Sequence, residues 1–309
     1  MPSTTVYFAS NRATTGPPTE WPSYGAEIVA PTDPSQIRYA VAFVDGTDLN
    51  AEGSGGITAI ESDRLGDFDG ITRAAFNREW FAASGLPQAD TTIIAFSWPS
   101  LGQLIAAPPH LLPDDYLRDQ TQAGQSGFHI ASFLRVIQPL VTQVRAQGRR
   151  AFLLAHSMGN FALQAGVESW FSHGNPAVEL FDEVFLAAAD ERFDSFGFPA
   201  GARLSRLRDL GRRISIYYSV RDIALYLSFA VNLTPRIGHE GPQHKADAAR
   251  FDPARYRIAD CAQVGDYDLF NPPDASHQYY RRSKKVRADI AAVMDRDPSV
   301  QGGLISLEG

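Results

Sequence analysis

Phe152-Leu153-Leu154-Ala155-His156-Ser157-Met158-Gly159-Asn160 is an apolar run that stops at a glycine-containing turn. A helical pattern follows from Phe161 to Phe171. Strand, sharp turn and helix, with a serine at the tip and a small residue two places to either side, form the arrangement called a nucleophile elbow. The spacing has a steric reason. Side chains two before and two after the serine would meet the neighbouring strand and helix, so both positions hold small residues, here Ala155 and Gly159. The helix behind the serine aims its N–H groups at the reacting centre, and the N–H of Met158 is the expected oxyanion donor. A serine that merely caps the helix would give the same local pattern, so partners elsewhere in the chain must decide.

Outward from the elbow, apolar runs alternate with helical patterns, the signature of a mostly parallel sheet flanked by helices. Upstream, Tyr39 to Val44 and Thr91 to Ser97 read as buried strands, and Ile71 to Ser84 as a helix. Val6 to Ala9 and Glu27 to Ala30 read as an antiparallel edge. Apolar residues at Ile130, Phe133, Leu134, Ile137, Leu140, Val141 and Val144 have helical spacing, closed by Gly148. Downstream, Val184 to Ala188 and Ile214 to Ser219 are strands, Tyr256 to Val264 the last strand, and His277 to Met294 the final helix. Two stretches break the alternation, about 101–125 and about 225–255. Each follows a strand's C-terminal end, where loops build the site in open parallel sheets, so both are expected to form pocket or lid insertions. The whole of 1–309 reads as one domain, with a loose tail from about 298.

A serine nucleophile at neutral pH needs a base, and the base needs an orienting acid. On this architecture the chain order is serine, acid, histidine. Of seven histidines, His239, His244 and His277 lie far enough downstream. His277 ranks first because it falls between the last strand and the final helix; His239 and His244 lie inside the second insertion. The acid belongs in a loop just past a strand, which suits both Asp190 and Asp222. Asp222 ranks first because the later strand is the commoner place; Asp190 is the alternative and could be a plain turn former. A second oxyanion donor is expected from the loop after Tyr39 to Val44, where Gly46 permits close approach and Thr47 offers its N–H. Asp45, Gly46, Trp98 and His156 are the expected substrate contacts. Phe96 is better read as core.

The composition narrows the partners. The 309 residues carry 28 Lys and Arg against 35 Asp and Glu, a net charge of −7, which argues against nucleic acid as a partner. The single cysteine, Cys261, excludes an intrachain disulfide and reads as a buried thiol. No signal peptide and no transmembrane segment is visible, so a cytoplasmic location is the default. No His, Cys, Asp or Glu cluster has metal-ligand spacing, and no glycine-rich loop is placed to cradle a phosphate, so no metal or cofactor is expected.

Most of the chain resembles the DUF900 group of α/β-hydrolases. The resemblance rests on Tyr7 to Arg12, Tyr24-Gly25, Phe96 to Ser100, Tyr116 with Asp119, Leu154 to Asn160, Tyr217 to Ser219, Asp222 to Leu225, Arg236-Ile237-Gly238 and His277 to Tyr280, in that order. It implies an α/β-hydrolase fold, with Ser157 as nucleophile, Asp222 as acid and His277 as base. Members of the group usually have His-Gly where this chain has Asp45-Gly46. The expected activity is that of a serine hydrolase cleaving small-molecule carboxylic esters. Thioesters, lactones and lipids fit the same mechanism. The alternatives are acyl transfer with the same triad, or a non-catalytic binding protein on the same fold.

Overall fold

The computed structural model describes residues 5–10, 27–28, 39–45, 91–98, 105–106, 110–111, 113–197, 203–270, 275–295 and 300–308. Its frame is a nine-stranded sheet. The strands are β1 (Thr5–Ser10), β2 (Glu27–Ile28), β3 (Tyr39–Asp45), β4 (Thr91–Ser97), β7 (Arg150–His156), β8 (Phe181–Ala187), β9 (Gly211–Tyr218), β10 (Tyr256–Asp260) and β11 (Gly303–Ser306); β5 (Ile105–Ala106) and β6 (His110–Leu111) form a separate antiparallel pair. The order across the sheet is β11-β10-β9-β8-β7-β3-β4-β1-β2, and every adjacent pair is parallel except β1 with β2. The expected antiparallel edge is therefore β2 alone, because β1 runs parallel to β4 on its other side. The chain builds outward from β3 to β4, then returns to the opposite side of β3 with β7 and continues to β8 and β9. Its direction of growth thus reverses beside β7. A crevice opens at the C-terminal ends of parallel strands where such a reversal occurs, and Ser157 follows β7 there.

The strands alternate faces every residue. Ala151, Leu153 and Ala155 of β7 join Val184, Leu186, Ile214 and Ile216 in one apolar layer; Phe152 and Leu154 join Phe185, Tyr217 and Ala259 in the other. Both faces are covered, so these strands carry almost continuous apolar runs. The first layer packs under α1 (Pro113–Gln125), α2 (Gly127–Ala146) and α3 (Gly159–Ser172). The second packs under α7 (Lys284–Asp295).

The stretch around 225–255 is anchored in the body: α4 (Ile223–Asn232) buries Leu225 and Ser228, α5 (Ile237–Glu240) buries Ile237 just after the buried Arg236, and Phe251 packs edge-on against Phe196 and Tyr256, while Tyr226 and His239 of the same stretch line a cavity. Three expectations are revised. The final helix is divided into a 3-10 turn (Ala275–His277), α6 (Tyr279–Arg282) and α7, because Ser283 is extended and its Oγ accepts the N–H of Val286, capping a new helix. The strand from Tyr256 ends at Asp260 and is not the last. The end of the chain is not loose: Gly303–Ser306 pairs with Arg257 to Asp260 and closes that edge of the sheet. The predicted helix over 71–84 and most of the stretch 99–112 lie outside the described residues.

Candidate active site

Ser157 has φ 54°, a left-handed conformation that a non-glycine residue holds only when its surroundings enforce it. The enforcement is visible. Its N–H donates to the Ala187 carbonyl at 3.1 Å. Its own carbonyl accepts the N–H of Asn160 at 3.0 Å, the N–H of Asp190 at 3.0 Å and the Asn160 side-chain amide at 3.1 Å. The turn is thus tied to the ends of β7 and β8 at once, and Oγ is aimed across the strand ends.

What Oγ meets is a histidine. His277 Nε2 lies 2.7 Å from Ser157 Oγ, and His277 Nδ1 lies 2.8 Å from Asp222 Oδ2. A carboxylate can only accept, so Nδ1 carries the proton and Nε2 is left to accept from the serine hydroxyl. Each member is fixed by its own element. Asp222 caps α4, with Oδ1 accepting the Leu225 N–H at 3.1 Å, which turns Oδ2 toward the imidazole. His277 ends the 3-10 turn whose Ala275 carbonyl accepts the Gln278 N–H. All three side chains are buried. Met158 stands at the start of α3, and its N–H meets no backbone acceptor among the described residues.

The other expected residues divide. His156 is fully buried behind the base: its Nε2 lies 3.1 Å from the His277 carbonyl, and its ring packs on those of His277 and Tyr280 at 4.8 and 4.6 Å. A substrate contact was expected of it, and the structure places it against His277 and Tyr280. Trp98 is likewise a core side chain, in the same apolar cluster as Phe96 and Met158; Phe96 packs on Phe133 at 5.2 Å. Asp45 ends β3 with its Cα opposite that of His156, so that strand stops beside the elbow. Gly46 and Thr47 lie outside the described residues.

Among the described residues Asp190 is not joined to any histidine. Its carboxylate is fully buried and takes Arg236 Nε at 3.1 Å, Ser228 Oγ at 2.6 Å and Tyr116 OH at 3.0 Å. Burial and the Asp190 charge push the Tyr116 phenol far up, so it stays a protonated donor. His239 sits apart from Ser157, with Nδ1 2.9 Å from Glu240, on the wall of a cavity of about 370 Å³ that it shares with Asp222, Tyr226 and Phe270. His244 adopts φ 63° within the turns beyond α5. Reading the sequence alone missed Asn160 as a second tether of the elbow and Tyr279, whose hydroxyl donates to the Tyr217 carbonyl and accepts the Ala188 N–H. The only sequence signal for either was membership of the resembling segments Leu154 to Asn160 and His277 to Tyr280.

A parallel sheet with a serine elbow at its point of reversal defines the α/β-hydrolase class. Within that class the chain belongs to the family described as alpha/beta hydrolase of unknown function, DUF900, which matches residues 64–292. No curated protein matches the chain. Among solved structures it is similar to phospholipase PlaB from Legionella pneumophila in complex with thio-NAD, at 13% identity and a TM-score of 0.25, over 78% of this chain. The chain spans 40% of that protein. A score so low decides neither fold nor activity. Among the described residues no helix is long and apolar enough to cross a membrane, and no His, Cys, Asp or Glu group could hold a metal ion.

Proposed function

We propose that the protein is a serine hydrolase that cleaves small-molecule carboxylic esters through an acyl-enzyme. The observation that carries the reading is the unbroken chain from Ser157 Oγ through His277 to Asp222, at 2.7 and 2.8 Å, with the serine held at a strained φ. In this reading Oγ attacks the ester carbonyl while His277 Nε2 takes the hydroxyl proton. The electron pair of the carbonyl moves to oxygen, and the Met158 N–H stabilises that charge, with Thr47 N–H as the second donor. The tetrahedral intermediate expels the alcohol, which leaves with the proton from Nε2. Asp222 stabilises the transient imidazolium through Nδ1. Water then gives a proton to His277 Nε2 as its oxygen adds to the acyl carbonyl, and the acyl–Oγ bond breaks as Nε2 returns that proton to Oγ, releasing the carboxylic acid and restoring Ser157.

Hydrolysis of p-nitrophenyl esters of graded acyl length tests this. The wild type turns over, a fluorophosphonate labels Ser157, and Ser157→Ala lowers kcat by about 10⁵-fold to 10⁶-fold. Turnover that persists in Ser157→Ala would move the activity elsewhere in the protein. A wild type that neither turns over nor labels would favour the binding-protein alternative. Transfer of the acyl group to an added alcohol or amine in preference to water would favour the acyltransferase alternative.

A further inference from the structure

We propose that the buried cluster of Asp190, Arg236 and Tyr116 is a positioning device that holds the nucleophile turn and the acid loop in register; this rests on the serine hydrolase reading. The cluster contains an ion pair buried on both sides, with Arg236 1% and Asp190 0% exposed. Its members come from separate parts of the chain: α1 supplies Tyr116, the loop just past β8 supplies Asp190, α4 supplies Ser228 and Asn232, and the segment before α5 supplies Arg236. Every contact within it is satisfied. Ser228 Oγ donates to Asp190 and accepts from Arg236 Nε at 3.0 Å, and Asn232 Nδ2 donates to Tyr116 OH at 2.7 Å. A buried ion pair is a poor source of stability compared with an apolar replacement of equal volume. Its presence therefore calls for a role in geometry.

That role is traced by the backbone around it. Asp190 N–H donates to the carbonyl of Ser157. The preceding carbonyl, of Ala189, accepts the N–H of Gly238 at 2.9 Å. The Gly238 carbonyl accepts the N–H of Ser219 at 2.9 Å, and the Ser219 carbonyl accepts the N–H of Asp222 at 3.1 Å. A continuous relay thus runs from the nucleophile to the acid, and residues 236–238 are the strut in its middle. The fit is tight: a Cβ on Gly238 would lie 2.2 Å from the backbone of Ala188 and Ala189. The Arg236 side chain reaches back from the strut to Asp190, the residue whose N–H begins the relay, and Tyr116 closes the cluster from α1. Asp190, Arg236 and Tyr116 touch no reacting atom. They act through Ser157 and Asp222.

The test uses Asp190→Leu with Arg236→Met, which removes both charges together, and separately Arg236→Lys and Tyr116→Phe. The rate of fluorophosphonate labelling, kcat and KM for a p-nitrophenyl ester, the thermal melt, and amide hydrogen exchange over 157–160 and 219–222 are measured for each. The double variant is expected to melt cooperatively while labelling and kcat fall by about 100-fold at nearly unchanged KM, as a displacement near 1 Å produces. Exchange over both segments is expected to quicken. Arg236→Lys and Tyr116→Phe are expected to shift the same readouts in the same direction by less. A folded double variant that labels and exchanges like the wild type would overturn the proposal. If the double variant does not fold, wild-type labelling and exchange in both single variants overturns it. A wild type that never labels, but whose variants still show quickened exchange, would instead overturn the hydrolase reading and leave the register claim standing.

Discussion

Asp190 and Asp222 are the same side chain in comparable places, each shortly past the end of a parallel strand, and their neighbours give them different parts. Asp222 keeps one oxygen for a helix cap and the other for His277. Asp190 spends both oxygens on Arg236, Ser228 and Tyr116. The same logic assigns His156. A carbonyl can only accept, so the contact with His277 O places a proton on His156 Nε2. In His156→Phe the ring packing is kept and the His277 carbonyl loses a buried donor, which should lower kcat for ester hydrolysis about 10-fold or more. In His156→Gln a side-chain N–H can still reach that carbonyl, and kcat should recover most of the loss. Equal kcat in the Phe variant and the wild type would show that His156 does not support the base. At this scale the serine was legible, since its constraints lie within five consecutive residues. The partner of His277 was legible only as a ranking between two, because what separates Asp190 from Asp222 is an arginine met later in the chain, and pairing across such a distance leaves no local trace.

Helices α2 and α3 show how elements brace the elbow. Gly127 and Gly166 let them approach closely: a Cβ on Gly166 would lie 2.4 Å from Ile130 Cγ2, and one on Gly127 2.6 Å from the Ala165 carbonyl oxygen. Since α3 begins at the elbow, anything that pushes it off α2 strains the turn. Gly166→Val should lower unfolding free energy by about 1–3 kcal/mol through overpacking, read by urea denaturation. An unchanged midpoint and slope would mean that the interface yields freely. The periodicity that revealed α2 spans Ile130 to Val144, whereas the helix runs from Gly127 to Ala146, since its first turn is defined by contact with α3 and not by apolar residues. The division of the last helix was hidden for a related reason. Ser283 caps α7 while Asp266, from a distant turn, accepts the N–H groups of Lys284 and Lys285. Strand β11 has four residues, too few for an alternation signal, and exists because β10 offers it an edge.

For the whole molecule, buried acids set part of the response to pH. Burial pushes the Glu191 carboxyl above its ordinary value of 4.5, despite Arg203 and Ser195 beside it. The folded state then holds that proton more tightly than the unfolded state. The contribution of Glu191 to stability is therefore most favourable below the ordinary value and is lost as pH rises through the raised one. Glu191→Gln, which cannot ionise, should melt higher than the wild type at about pH 8, and the difference should shrink by about pH 4. A gap that is constant across that range would mean that Glu191 does not titrate differently in the two states. The layered sheet as a whole was legible because alternating apolar runs and helical patterns leave few topologies open. The order of strands at either edge was not, being settled by pairings between remote segments.

His277 stands 120 residues from Ser157 and 55 from Asp222 along the chain. Closing loops of that size costs chain entropy before the contacts of the intervening sheet offset it. In the proposed reading, a nascent chain that has emerged as far as the elbow carries a serine with no base, and one that has emerged as far as Asp222 still has no base. In that reading ester cleavage begins only when synthesis has passed the third member and the strands between have folded.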